Sequence, residues 1–188
     1  MKYIIEHLDG TVYKWCQMEY KHISETVGRD NLIFTNVKGD AGKKILEKLG
    51  EVKTESVIKL NLKNACILDP VAKDTIKTAD CKKYDYLIFG GILGDYPMRA
   101  RTKSDLSDKM PDAELKNIGQ EQMSTNTAVY VVHEISKGKT MDDFDFQDDL
   151  VIPTGENEEV ILPFRYVKIN GKLMIPEGLI EHIKTQEF

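Results

Sequence analysis

Residues 84–102, YDYLIFGGILGDYPMRART, concentrate the residue types best suited to chemistry. An apolar run enters Gly90 and Gly91, and Gly94 follows three residues on. Glycines in such a bend let backbone N–H and C=O groups approach a ligand closely. The spacing is neither the GxGxxG that opens a dinucleotide-binding helix after a first strand nor the GxxxxGK[ST] of a phosphate loop. A ligand cradle and a bare tight turn both fit it. Asp95, Arg99 and Arg101 come next. A carboxylate and two guanidiniums at the carboxyl end of a central strand stand where open α/β sheets bind ligands. Asp95 would serve equally to bridge Arg99 and hold the loop.

Other reactive residue types are poorly arranged. His7, His22, His133 and His182 show no HExxH or other ligand spacing, so no metal site is expected. Cys16, Cys66 and Cys81 form no CxxC and are too few for a disulfide framework; small buried hydrophobes in a reduced, cytoplasmic setting are expected. Ser124 is not in a GxSxG elbow, so hydrolase chemistry has no support.

Composition bounds the scaffold. The chain has 188 residues, 41% hydrophobic and 30% charged, which excludes disorder and suits one domain with a full core. No apolar run reaches the roughly 18 residues of a membrane span, so no membrane partner is expected. The opening MKYIIEHLDG puts an acid and a histidine where a secretory apolar segment would lie. The formal net charge is −5, and residues 141–160 hold eight acids and no base. That window would repel a polyanion and attract a basic peptide, or it is a solvated acidic loop that binds nothing.

The elements follow from patterning. Residues 3–8 predict a short buried strand, Thr11 a helix cap, and Trp15, Tyr20, Ile23 and Val27 a helix stopped at Gly28. Residues 31–36 predict a second strand and 41–49 a second helix, while 51–64 give no clear pattern. Residues 65–68 predict a third strand closed by Asp69-Pro70, and 84–89 a central fourth. Residues 117–120 predict a strand end with a turn, and 124–137 a helix buried along Ala128, Val131, Val132 and Ile135. Asn170-Gly171 predicts a type I′ hairpin within residues 167–174, and Pro176 a last helix through Ile183. The alternation argues for an α/β fold with a mostly parallel sheet flanked by helices. No internal repeat or low-complexity linker appears, so residues 1–188 are expected to form a single domain.

Several segments together resemble one family: MKYIIEH at 1–7, MEY at 18–20, ILDP at 67–70, the 84–102 stretch, QMSTNTA at 122–128, LPFRY at 162–166 and IPEGL at 175–179. They resemble the SPOUT-class family that includes the yeast SPOUT-type protein arginine methyltransferase, formerly grouped as predicted S-adenosylmethionine-dependent RNA methyltransferases. The likeness spans nearly the whole chain in the same order. The family's second proline stands here as Met98, and the acid between its two arginines as Ala100, so that acid's substrate contacts do not carry over.

The resemblance implies a trefoil-knotted α/β fold, with the knotted, cofactor-binding part at about residues 65–137 and an extension at 138–188. Three loops of that part are implied to hold S-adenosylmethionine in a bent shape, largely through backbone groups. They are Leu68, Asp69 and Pro70; Gly90, Ile92, Leu93 and Gly94; and Ile118, Gly119, Gln122, Met123 and Thr125. Dimerisation through the knotted region is implied as well, unless the C-terminal segment covers that surface; homodimer and monomer both stay open.

The implied activity is methyl transfer to an arginine of a basic, ribosomal protein. An arginine has no free lone pair at neutral pH, so acids must orient it and take a proton. Asp95 and Glu6 are candidates, with Glu19 a third; Glu6 and Glu19 would serve equally as structural or solvated acids. Arg99 would anchor the cofactor carboxylate or a substrate backbone. An RNA methyltransferase acting on tRNA or rRNA is the alternative, supported by Arg99, Arg101 and Lys103 and opposed by the net charge. A non-catalytic, ribosome-associated cofactor-binding module is the third.

Overall fold

The computed structural model describes residues 1–91, 101–156 and 158–185. Six strands form one sheet: β1 (Lys2–His7), β2 (Leu32–Thr35), β3 (Glu51–Val52), β4 (Ala65–Leu68), β5 (Tyr86–Gly91) and β6 (Glu114–Lys116). Their order is β3-β2-β1-β5-β4-β6, and each pairing is parallel. β1 and β5 sit at the centre with Glu6 beside Gly90 and His7 beside Gly91. Strands of this kind are buried on both faces, which is why they read as continuous apolar runs.

Two clusters cover the two faces. Tyr3, Ile5, Phe34, Leu87 and Phe89 pack with Tyr20 and Ile23 of α1 (Lys14–Val27) and Val129 and Val132 of α5 (Thr125–Ser136). Ile4, Ile33, Ile67 and Ile88 pack on the other side with Val57 and Leu106. The period-two alternation of Tyr3, Ile4 and Ile5 thus assigns α1 and α5 to one face. α1 stops at Gly28, whose φ of 83° is open to glycine and whose N–H reaches the Ser24 carbonyl. The smaller helices are α2 (Asp40–Leu46), α3 (Thr78–Cys81), α4 (Arg101–Asp105) and α6 (Leu179–Lys184).

Three sequence expectations need correction. The acidic window is not a loop: β7 (Asp145–Pro153) runs through it and pairs antiparallel with β8 (Glu159–Ile169). Leu150 and Ile152 turn inward while the acids face out, and the strand is stabilised by partners six to 23 residues away. Thr11 does not cap α1; the flanking residue is Tyr13, with no side-chain cap. Pro176 does not open α6, because Gly178 at φ 79° interrupts before Leu179. The Asn170-Gly171 turn is found as read, with φ of 51° and 75°, joining β8 to β9 (Lys172–Leu173).

The β7-β8-β9 sheet and α6 build a third cluster from Leu150, Ile152, Leu162, Phe164, Tyr166, Leu179 and Ile183. Trp15 and Met18 of α1 pack against it. Among the described residues, no helix is long and apolar enough to cross a membrane.

Candidate active site

Beyond the carboxyl ends of β4, β5 and β6, beside α1 and α5, lies a cavity of about 1000 Å³, its open mouth included. Leu68, Asp69 and Pro70 come from the end of β4, and Gly90 from β5. Ile118, Gly119, Gln122 and Met123 come from the loop after β6, and Thr125 from the first turn of α5. The structure therefore brings these sequence-selected residues together. Ile92, Leu93, Gly94, Asp95 and Arg99 lie outside the described residues.

The loops are held by their own side chains. Asp69 accepts the Val71 N–H at 3.1 Å on one oxygen and the Ser107 hydroxyl at 2.6 Å on the other. Asn117 clasps two loops at once: Oδ1 accepts from Thr75 Oγ1 at 2.8 Å and from Gly119 N at 2.9 Å, and Nδ2 donates to the Ala72 carbonyl at 2.8 Å. Gly119 sits at φ 98°, a conformation open to residues without a Cβ. On the far side, the Arg165 N–H of β8 donates to the Gln122 carbonyl at 2.7 Å, and Phe164 lines the cavity.

Glu19 brings a buried carboxyl to the cavity wall. The buried stripe of α1 is Cys16, Glu19, Tyr20, Ile23 and Val27, so helical spacing alone turns this carboxylate inward. It lines the cavity and is 6% exposed. Trp15 Nε1 donates to Oε1 at 2.8 Å. Burial lifts the carboxyl from an ordinary 4.5 to about 7, against the pull of hydrogen bonds from Trp15 and from the Thr125 amide and hydroxyl. A carboxyl poised there can hold or release a proton near neutral pH.

Glu6 is not brought to the cavity. It is 1% exposed and lies on the opposite face of β1 from Tyr3 and Ile5. Its Oε2 accepts from Thr35 Oγ1 at 2.5 Å and from Val57 N at 2.9 Å, which makes it a structural acid tying β1 to β2 and to the 56–59 turn. Arg101 lines the cavity but is engaged by Asp9 at 3.4 Å and the Leu8 carbonyl at 3.3 Å. Lys103 pairs with Asp108 instead. Sequence reasoning missed Trp15 and Phe164 as cavity walls and Asn117 as a loop clasp. Trp15 stood on the α1 stripe and Asn117 at a strand end, but Asn117 reaches loops 42 to 45 residues away and Trp15 packs on another sheet.

A parallel sheet with a part-apolar cleft past its strand ends, and a buried carboxyl titrating near neutrality, defines an α/β cofactor-binding enzyme. The family model described as "Protein arginine N-methyltransferase SFM1-like" matches residues 2–187, and the chain belongs to that family. It is 35% identical over 202 residues to the protein arginine N-methyltransferase SFM1 of Saccharomyces cerevisiae, covering 98% of this chain and 94% of the yeast one. The crystal structure of the yeast enzyme complexed with SAH superposes with a TM-score of 0.88 at 34% identity, covering 97% of this chain and 94% of that one. Its complex with SAM gives 0.87 at 35% identity, covering 97% and 89%.

Proposed function

We propose that this chain is an S-adenosylmethionine-dependent methyltransferase that modifies an arginine side chain of a basic, ribosomal protein. The observation that carries the reading is Glu19, a buried carboxyl lining the cavity with a pKa raised to about 7. The cavity suits the cofactor. Leu68, Ile118, Met123 and Ala128 offer apolar walls for an adenine ring, and Gly90 and Gly119 leave backbone groups bare for its polar edges. Bound S-adenosylmethionine supplies an electrophilic methyl group on a sulfonium.

The protein's own part is positioning and proton transfer. A guanidinium brought into the cavity meets the Glu19 carboxylate, which accepts its N–H groups and turns one nitrogen toward the donor. As that nitrogen is alkylated it must lose a proton, and Glu19 takes it. Trp15 and Phe164 close the acceptor end with aromatic surface, against which a guanidinium packs well. We further place the 65–137 region in a knotted arrangement and the chain in a reduced, cytoplasmic compartment; Cys16, Cys66 and Cys81, free and buried, support the latter.

Charge favours a basic polypeptide over RNA. Asp145, Asp149 and Glu159 face outward along β7 and β8, with Asp148 paired to Arg165, while Arg101 and Lys103 are already paired with acids. The test is incubation with methyl-labelled S-adenosylmethionine and a ribosomal protein extract, followed by amino-acid analysis. Labelled methylarginine is expected. Label confined to nuclease-sensitive material would reject the reading.

A further inference from the structure

Glu19 is served by a neighbour that the reaction itself does not require. Trp15 lies one helical turn earlier on α1, so the (i, i+4) spacing places its side chain beside the carboxylate wherever the helix forms. An indole N–H is a donor with no acceptor capacity, so it can meet Glu19 only through a lone pair. It does so on Oε1 at 2.8 Å. A carboxylate has about four lone-pair sites; Trp15 takes one, and the Thr125 amide and hydroxyl take others. The rest of the indole is held from behind. It packs against the third cluster, which contains Phe164, Tyr166 and Leu179. That cluster belongs to the C-terminal sheet, and the sheet is tied to the cavity loop through the Arg165 N–H and the Gln122 carbonyl. A chain of contacts therefore runs from the hairpin through Trp15 to the acid.

We propose that Trp15 is a positioning residue for methyl transfer, braced by the C-terminal sheet and, with Thr125, holding the Glu19 carboxylate in the one orientation that presents it to the substrate guanidinium. The inference rests on the arginine-methyltransferase reading, and it predicts two separable effects. The indole N–H stabilises the charged form of the acid, so removing it must raise the pH at which Glu19 ionises. It also restricts the carboxylate's rotamer, so removing it must slow turnover without weakening the cofactor.

The variant is Trp15→Phe, which keeps an apolar ring against the third cluster and deletes the N–H. The Glu19 carboxyl is followed by ¹³C NMR titration of the full chain, with Glu19→Gln assigning the resonance. Its midpoint should rise by about one pH unit. The acid limb of the pH–kcat profile should move up with it, while affinity for S-adenosylhomocysteine and the melting temperature at pH 5 stay close to wild type. If phenylalanine unfolds the chain, Trp15→Met, apolar and without a donor, gives the same readings. An unmoved midpoint, or a loss of turnover equal at every pH, overturns the inference. A midpoint that moves while the acid limb stays put supports the Trp15–Glu19 link and rejects Glu19 as the proton acceptor.

Discussion

Glu19 shows how a single residue carries opposing demands. Its folded pKa of about 7 lies above its unfolded value of 4.5, so the folded state binds the proton more tightly. Between those values stability falls as pH rises, and above about 7 the loss is complete. The ligand-free protein should therefore gain roughly 3 kcal/mol at pH 8 on Glu19→Gln and little at pH 4. Burial lowers the pKa of His7, His22 and His133, and these act in the opposite direction. The quantity to measure is accordingly the difference between variant and wild type in urea titrations across pH. Gly91 makes a different point. A Cβ there would collide with the Tyr20 hydroxyl and come within 2.7 Å of Ile5 Cγ2, so this glycine is required by packing of α1 on the sheet. Gly91→Ala should cost about 1–3 kcal/mol in chemical denaturation. In the sequence the two adjacent glycines look alike; Gly90 lines the cavity and Gly91 does not.

The elements differ in how far their sequence announces them. β1, β4 and β5 were legible because burial on both faces leaves an uninterrupted apolar run, and α1 and α5 because their stripes recur every three or four residues. β7 was not. Its inward residues are few, Asp149 takes φ 60°, and the register shifts between Asp148 and Leu150, so the alternation breaks in mid-strand. Its pairing with β8 is what specifies it. β6, at three residues with two of them exposed, has little pattern to read. The loops of the candidate site were found through family resemblance; the strand ends alone gave only Asp69-Pro70 and the glycines. How they are held together was hidden, since Asn117 reaches Ala72 and Thr75 across 42 to 45 residues of chain. Asn117→Ala would leave the Gly119 N–H and the Ala72 carbonyl without that partner. A stability loss of about 2–3 kcal/mol is expected, with a parallel fall in S-adenosylhomocysteine affinity by calorimetry. Full affinity in a destabilised variant would separate the clasp from the cofactor loops.

At the scale of the molecule, three hydrophobic clusters lock a parallel sheet, its helices and an antiparallel arm around one cavity. The helices of one face deliver Glu19 and Thr125, the strand ends deliver the backbone, and the arm delivers Phe164. Exposed acids run along the outside of the arm, and under the proposed function they attract the basic substrate. The excess of acids at residues 141–160 was visible in the sequence. That these acids ride on a sheet whose other face braces the active-site helix was not. The proposed reaction requires Glu19 to act on the substrate while the loops hold the donor. It is tested most directly by single-turnover methyl transfer to a basic protein, comparing wild type with Glu19→Gln at pH 8 and saturating S-adenosylmethionine. A fall of about 100-fold or more is predicted, with S-adenosylhomocysteine affinity unchanged. A Gln variant that transfers methyl groups as fast as the wild type contradicts it.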